Sequence, residues 1–374
     1  MDDRSGPDGG VAVGVEEEFH IVDAATGLLA PAAPGLLDRL PERTFVREFQ
    51  QSVVETNSDV HTTLDALRAD LVRARRRLAA AAEPLGLAVV AAGSVPLSET
   101  GSVDVTAAPR YEHISREYGA VADEQLVCAA QVHVDVPDRD TGVRAMGVLA
   151  PWLPVLLALS ASSPFWLGTD TGYASWRTLV MQRWPSAGPP GSFASAAEYD
   201  ALVDALLAGE VIGDRGMVYY DIRPSEHQRT LELRVCDSCP RVDTVVLLAG
   251  LFRAMVVDAC QAVGTGGAPR VPRQQWLRAA TWRAARSGLA GDLLDPVSGH
   301  AVPAADLVRA LLKRHEPTLQ AHGDHDRVTA LADTELATGG SASRLRRAAE
   351  AGTPLRTLVQ RLATETRHPD TPPT

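Results

Sequence analysis

Two periodicities share this chain. Apolar and polar residues change places at every second position over 11–22, 45–55, 87–92, 131–136, 217–222 and 230–236, which predicts strands whose side chains point by turns to opposite faces. Spacings of three and four predict amphipathic helices from Thr62 onward and near 111–130, 195–208, 243–262, 274–287, 304–315 and 342–363. The first helix opens on Thr62-Thr63-Leu64-Asp65, like a capping box, and carries Leu64, Leu67, Leu71 and Leu78 in one stripe opposite an arginine-rich face. Strands and helices do not alternate one for one, so an α+β fold with a mainly antiparallel sheet is expected rather than a doubly wound one. The most apolar stretch, AMGVLAPWLPVLLALSASSPFWLG, is interrupted by Pro151, Pro154 and several serines; a membrane span wants about 20 cleaner residues, so a buried core helix is expected. GTGGAP at 264–269 divides a strand-containing part, 11–263, from an all-helical part of the same domain, 264–366. The polar ends, 1–10 and 367–374, read as disordered tails.

The interruptions of the strand pattern are where chemistry enters. In Val13-Gly14-Val15-Glu16-Glu17-Glu18-Phe19 the residues Val11, Val13, Val15, Phe19 and Ile21 share a face that only Glu17 breaks, while Glu16, Glu18 and His20 share the other. Two carboxylates about 7 Å apart on one face repel unless a divalent cation or an arginine lies between them, or the face is simply solvated. Other strands repeat the arrangement. QVHVDV sets Gln131, His133 and Asp135 opposite three valines, TLELRVCD sets Glu232, Arg234 and Cys236 opposite Leu231, Leu233 and Val235, and Glu55 closes a further strand. If these faces line one concave sheet, Glu16, Glu18, Glu55, His133 and Glu232 form a cluster suited to Mg²⁺ or Mn²⁺. The loop SASSPFWLGTDTGYASWR, with Thr169, Asp170, Thr171 and Arg177, has the composition to hydrogen-bond a polar ligand, and YYDIRPSEHQRT supplies Arg223.

Composition narrows the chemistry. The net charge of −11 and the lack of a basic stripe argue against nucleic acid. Lys313 is the only lysine, so a lysine-bearing phosphate loop and a lysine nucleophile are excluded, and any phosphate must be held by arginine, backbone amides or metal. Four cysteines are too few for a disulfide scaffold, and Cys236-Asp237-Ser238-Cys239 lacks the second pair that tetrahedral zinc needs. The acidic N-terminus has no apolar signal region. A cytoplasmic protein acting off the membrane is expected.

VGVEEEF, SVVETNSDV, QVHVDV, SASSPFWLGTDTGYASWR and YDIRPSEHQRTLELRVCDS together resemble, in order and spacing, the bacterial carboxylate-amine ligases, also called glutamate–cysteine ligase type 2. The resemblance runs from about residue 13 to about residue 360. It implies a glutamine-synthetase-like fold with a curved, mainly antiparallel sheet flanked by helices. It also implies an ATP-dependent ligase that forms an amide through an acyl phosphate, with Mg²⁺ held by Glu16, Glu18, Glu55, His133 and Glu232. Arg234 would lie near the phosphates and Arg177 or Arg223 near a substrate carboxylate. Thr169, Asp170, Thr171 and Gln131 would belong to the substrate or nucleotide region. Partners would be a small carboxylate, glutamate foremost, and an amine; a homodimer is among the states it allows. Where family members often read Gly-Thr-His-Pro, this chain has Gly93-Ser94-Val95-Pro96, which implies a polar group missing near the pocket and a different substrate. A metal-dependent phosphohydrolase and a non-catalytic nucleotide-binding protein of the same fold are the competing readings.

Overall fold

The structure is a computed structural model that describes residues 10–99, 104–265 and 272–368. Most of the expected tails and of the 264–269 break fall outside the described residues, although Arg367 closes a helix. Among the described residues nine strands precede the long central helix: β1 Val13–Asp23, β2 Phe45–Arg47, β3 Val53–Asn57, β4 Leu87–Val90, β5 Ala130–Asp135, β6 Phe165–Trp166, β7 Thr169–Asp170, β8 Ile222–Pro224 and β9 Thr230–Leu233. Seven of them form one antiparallel sheet in the order β2-β3-β1-β5-β9-β8, with β4 also on β1. His20 of β1 faces both Val53 of β3 and Val90 of β4. The strands β4 and β5 therefore share the edge of β1 opposite β3, end to end. The small pair β6–β7 stands apart as its own ribbon.

One face of the sheet carries the core. Val13, Val15, Phe19 and Ile21 of β1, Val132 and Val134 of β5, and Leu231 and Leu233 of β9 are all buried. The helices 64–82, 139–149 and 242–264 lie in the same core, the last packing directly on β5. Two helical stretches, Arg139–Ser160 and Val242–Gly264, are long and apolar enough to cross a membrane, yet 89% and 78% of their apolar windows is buried inside the fold. They are core elements here, as the proline-interrupted stretch led one to expect. The same large core includes Leu293, Leu307 and Val328, so it continues past position 264.

Glu17, the carboxylate that breaks the apolar face, is fully buried on that side and paired with fully buried Arg75 of helix 64–82. Arg75 Nε donates to Glu17 Oε2 at 3.1 Å, while its terminal nitrogens donate to Glu17 Oε1 and to the carbonyls of Pro240 at 2.7 Å and Cys239 at 2.8 Å. All four cysteines are buried and unpaired. Burial pushes the Cys236 thiol up to about 12, which fits inert core residues.

Several boundaries differ from the sequence reading, each for a local reason. The expected strand 45–55 is two strands joined by a turn. The helix expected over 111–130 is two short ones, Pro109–Tyr118 and Ala120–Asp123, because Gly119 adopts φ +51° between them. The pattern over 342–363 is likewise split into Gly340–Glu350 and Leu355–Arg367 by Gly352 at φ +87°. Residues 217–222 mostly form the exit from a 3₁₀ turn, and the strand begins only at Ile222. Helix His325–Thr338 was not foreseen, helix Arg139–Leu149 starts ahead of the apolar stretch expected to be helical, and the C-terminal part is not all-helical, since Asp292–Leu294 and Ala301–Pro303 pair as a small hairpin. The first long helix is capped by Thr63 rather than Thr62, its side chain accepting from Ala66 N at 3.3 Å.

Candidate functional site

The face of the sheet turned away from the core collects the polar positions, and register decides who meets whom. Glu18 of β1 is opposite Glu55 of β3, Glu16 is opposite Gln131 of β5, His133 is opposite Glu232 of β9, and Glu232 is opposite Arg223 of β8. Directly opposed residues point to the same side. This register therefore gathers all five anticipated carboxylate and imidazole groups above one sheet face.

They form two groups rather than one. Glu16, His133 and Glu232 offer ligand atoms within 4.8 Å of one another, and so do Glu18, Glu48 and Glu55. In the first group, His133 Nδ1 meets Thr230 Oγ1 at 3.0 Å, which turns Nε2 toward Glu16 Oε1, 3.3 Å away. Burial would push the His133 pKa down, but the Glu16 hydrogen bond and the Glu232 charge outweigh it and raise it. Burial likewise works against the Glu232 anion, yet Arg234 and Arg223 hold its pKa down to about 2. In the second group the arginine charges do not offset burial. Burial, then the Glu48 charge, pushes Glu18 up to about 7; Glu55 is raised well above its ordinary value by burial and by Glu48, Glu16 and Glu18; burial raises Glu48 too. Three crowded carboxyls whose pKa values are all raised by burial fit a cation site, and oxygen donors with a single imidazole next door fit Mg²⁺ or Mn²⁺. Glu48 is the residue that the sequence reading missed.

Three arginines surround the groups. Arg234 contacts Glu232 and the Gln131 side-chain carbonyl, and Gln131 in turn donates to Glu18 at 3.1 Å. Arg234 thus links the two carboxylate groups. Arg223 spends its donors on Glu232, at 2.9 and 3.3 Å, and on the carbonyls of Gly216 and Val218, so it braces Glu232. Arg177 is buried, with NH1 and NH2 donating to the carbonyls of Val235 and Arg234. Its own N–H donates to Ser163 Oγ, which donates to buried Asp237 at 2.7 Å; Ser175, the cap of the helix bearing Arg177, also donates to Asp237. Asp237 further accepts from Ser162 N. A Cβ on Gly93 would stand 2.5 Å from its carboxyl, so that position has room only for glycine.

Above the sheet is a cavity of about 270 Å³ lined by Glu16, Glu18, Glu48, Glu55, Gln131, these three arginines and Arg110, together with aromatic and aliphatic side chains. Thr169, Asp170 and Thr171 do not line it. Asp170 lies exposed on the β6–β7 ribbon, where Arg346 grips it at 2.8 Å, and Thr171 Oγ1 donates to the Pro164 carbonyl. The geometry separates this loop from the cavity. Ser94 and Val95 do not line it either; both are buried, with Ser94 Oγ donating to the Phe165 carbonyl at 2.8 Å. Neither residue present at the departure from Gly-Thr-His-Pro reaches the cavity.

Known proteins resemble this chain over nearly its whole length. The model of glutamate–cysteine ligase family 2 matches residues 12–364. A Frankia alni protein named "Putative glutamate--cysteine ligase 2-3" is 52% identical over 97% of this chain, which covers 42% of that protein. One from Mycolicibacterium smegmatis, "Putative glutamate--cysteine ligase 2-2", is 50% identical over 95% of this chain and 89% of its own length. The chain thus spans less than half of some relatives and most of others. The crystal structure of glutamate–cysteine ligase from Francisella tularensis in complex with AMP superposes with a TM-score of 0.73 at 13% identity, covering 96% of this chain and 89% of that one. At that identity the likeness establishes the fold, and the α+β class with an antiparallel sheet flanked by helices is the one expected from the sequence.

Proposed function

Because the chain belongs to the glutamate–cysteine ligase family 2, we propose that it is an ATP-dependent carboxylate-amine ligase, joining a glutamate-type carboxylate to an amine through an acyl phosphate. The observation that carries this is the pair of carboxylate groups side by side on one sheet face with Arg234 joining them. Glu16, His133 and Glu232 would hold one divalent cation and Glu18, Glu48 and Glu55 another. Bound there, Mg²⁺ or Mn²⁺ supplies neutralisation of phosphate charge.

The chain's own groups do the rest. Moving the γ-phosphoryl group of ATP to a carboxylate requires alignment and charge stabilisation more than a covalent nucleophile, which suits a site with arginines and no lysine. Arg234 is placed to donate to phosphoryl oxygens, Arg177 to receive a substrate carboxylate, and Arg223 to fix Glu232. The amine then displaces phosphate from the acyl carbon, closing the amide. A cytoplasmic setting is part of the proposal. Incubation with ATP, Mg²⁺ and an amino-acid panel, followed by mass spectrometry, should show ADP and a new amide appearing together. Phosphate release at an equal rate without any amine would favour the hydrolase reading, and ATP binding without product would favour a non-catalytic one.

A further inference from the structure

The cavity has a lining of two kinds. Besides its charged groups the cavity is lined by Phe49, Tyr111, Ile114, Met181, Trp184 and Tyr219, which make an apolar wall. The rings brace one another: Phe49 and Tyr111 meet edge-on with centroids 5.7 Å apart, and Trp184 lies 5.3 Å from Tyr219. The Trp184 indole N–H already donates to Gln125 at 2.8 Å, so that ring asks nothing polar of a ligand. Arg110, over the Tyr111 ring, and Gln125 also reach the cavity, but an apolar group set against the Phe49, Ile114, Met181 and Trp184 side chains gains by leaving water. Phosphoryl transfer uses none of these side chains.

Position indicates whose apolar body belongs there. Arg177 and Met181 are four residues apart on the helix Trp176–Met181 and so share a face, and the helical turn that follows brings Trp184 to the same cavity. A molecule whose carboxylate meets Arg177 would run its carbon skeleton along Met181 toward Trp184. The carboxylate that accepts phosphate must stay at the metal-binding face, so a molecule held by Arg177 and running along this wall is the other substrate. We infer that the acceptor is an amino acid with an aliphatic or aromatic side chain, of the size of leucine or phenylalanine, rather than a small polar one. For the reaction this rests on the ligase reading above; for the wall it does not.

The test compares phenylalanine, leucine, cysteine and serine as acceptors with ATP, Mg²⁺ and glutamate. The expected kcat/KM for phenylalanine or leucine exceeds that for serine and cysteine by roughly tenfold or more, the discrimination that a few apolar contacts give. Trp184→Ala should bring the ratio toward one, and so should Met181→Gln, which keeps the length of the side chain and serves if loss of Trp184 prevents folding. Equal efficiency across the four, or preference for cysteine, would overturn the inference and leave the ligase standing. If no acceptor yields an amide, the ligase reading fails, and equilibrium dialysis of labelled phenylalanine still interrogates the wall. Binding weakened by Met181→Gln upholds the inference, and absence of binding overturns it. Loss of ATP binding in Met181→Gln, with phenylalanine binding unchanged, would place the adenine ring at the wall and overturn it as well.

Discussion

Glu17→Gln should destabilise this protein strongly while leaving its chemistry in place. Both partners of the Glu17–Arg75 pair are completely buried, so neutralising the carboxylate leaves a guanidinium charge in the core with two carbonyls, those of Cys239 and Pro240, as its remaining strong acceptors. Removing one member of a buried pair costs about 3–5 kcal/mol. An unfolding entropy of about 2.1 cal/mol/K per residue scales to about 0.8 kcal/mol/K over 374 residues, so the melting midpoint should fall by roughly 4–6 °C. Arg75→Met should cost at least as much, because it also strands the two carbonyls. The double variant should cost less than the sum of the singles, the difference measuring the coupling. Scanning calorimetry on the four proteins decides the matter. An unchanged midpoint in Glu17→Gln, or strict additivity in the double variant, would refute the buried-charge account. Turnover per folded molecule, measured well below the midpoint, should be nearly that of the parent, since Glu17 lies on the side of the sheet opposite the cavity.

Mg²⁺ at a hundredfold excess over its Kd should stabilise the folded chain by about 2.7 kcal/mol, and Glu48→Gln should abolish that thermal shift as fully as Glu55→Gln; a retained shift would remove Glu48 from the cation site. Arg234→Lys, which keeps the charge but not the fork that spans Glu232 and Gln131, should lower the rate of ADP release by roughly tenfold to a thousandfold with little change in melting; an unchanged rate would clear Arg234 of any part in phosphoryl transfer. Asp221 gives a pH signature: burial raises its carboxyl pKa from 3.8 to about 7 against the opposing charge of Arg177. The folded state thus keeps a proton that the unfolded chain has already released, and the contribution of Asp221 to stability falls as pH rises from about 4 to 7. Melting curves of Asp221→Asn across that range should show a flatter dependence than the parent.

The two periodicities were enough to place most of the sheet and to bring Glu16, Glu18, Glu55, His133 and Glu232 to one face, because alternation along a half-buried strand is imposed by the core itself. Glu48 was invisible for a related reason. Read as one strand, 45–55 gives residues 48 and 55 opposite parity, hence opposite faces. In the fold the segment turns back on itself, so that Val46 lies opposite Glu55 and Glu48 follows on that side. The turn, Glu48-Phe49-Gln50-Gln51-Ser52, contains no glycine, proline, asparagine or aspartate to announce it. The partner of Glu17 was equally out of reach, since a buried arginine 58 positions away in an arginine-rich helix looks in sequence like its solvated neighbours.

The Ser94-Val95 departure shows how a motif can point to the right place for the wrong reason. Gly93 is confined by the Asp237 carboxyl, which also anchors the serines that hold Arg177. The segment therefore matters through the backbone contact at its glycine. The two residues that follow face the interior, Val95 with no exposure at all, and a polar side chain there would be buried rather than offered to a ligand. What the cavity offers beyond its charged face comes from Tyr111 and Ile114 on helix 109–118, from Met181 and Trp184, and from Tyr219. These residues lie in amphipathic or connecting segments where an apolar side chain reads as ordinary packing. Their common orientation toward one cavity exists only after the sheet has brought Arg177 and Glu18 together. The wall proposed to select the acceptor thus becomes legible as a set only through the fold, while most of the charged groups proposed for phosphoryl transfer, on alternating strands, could be read before it.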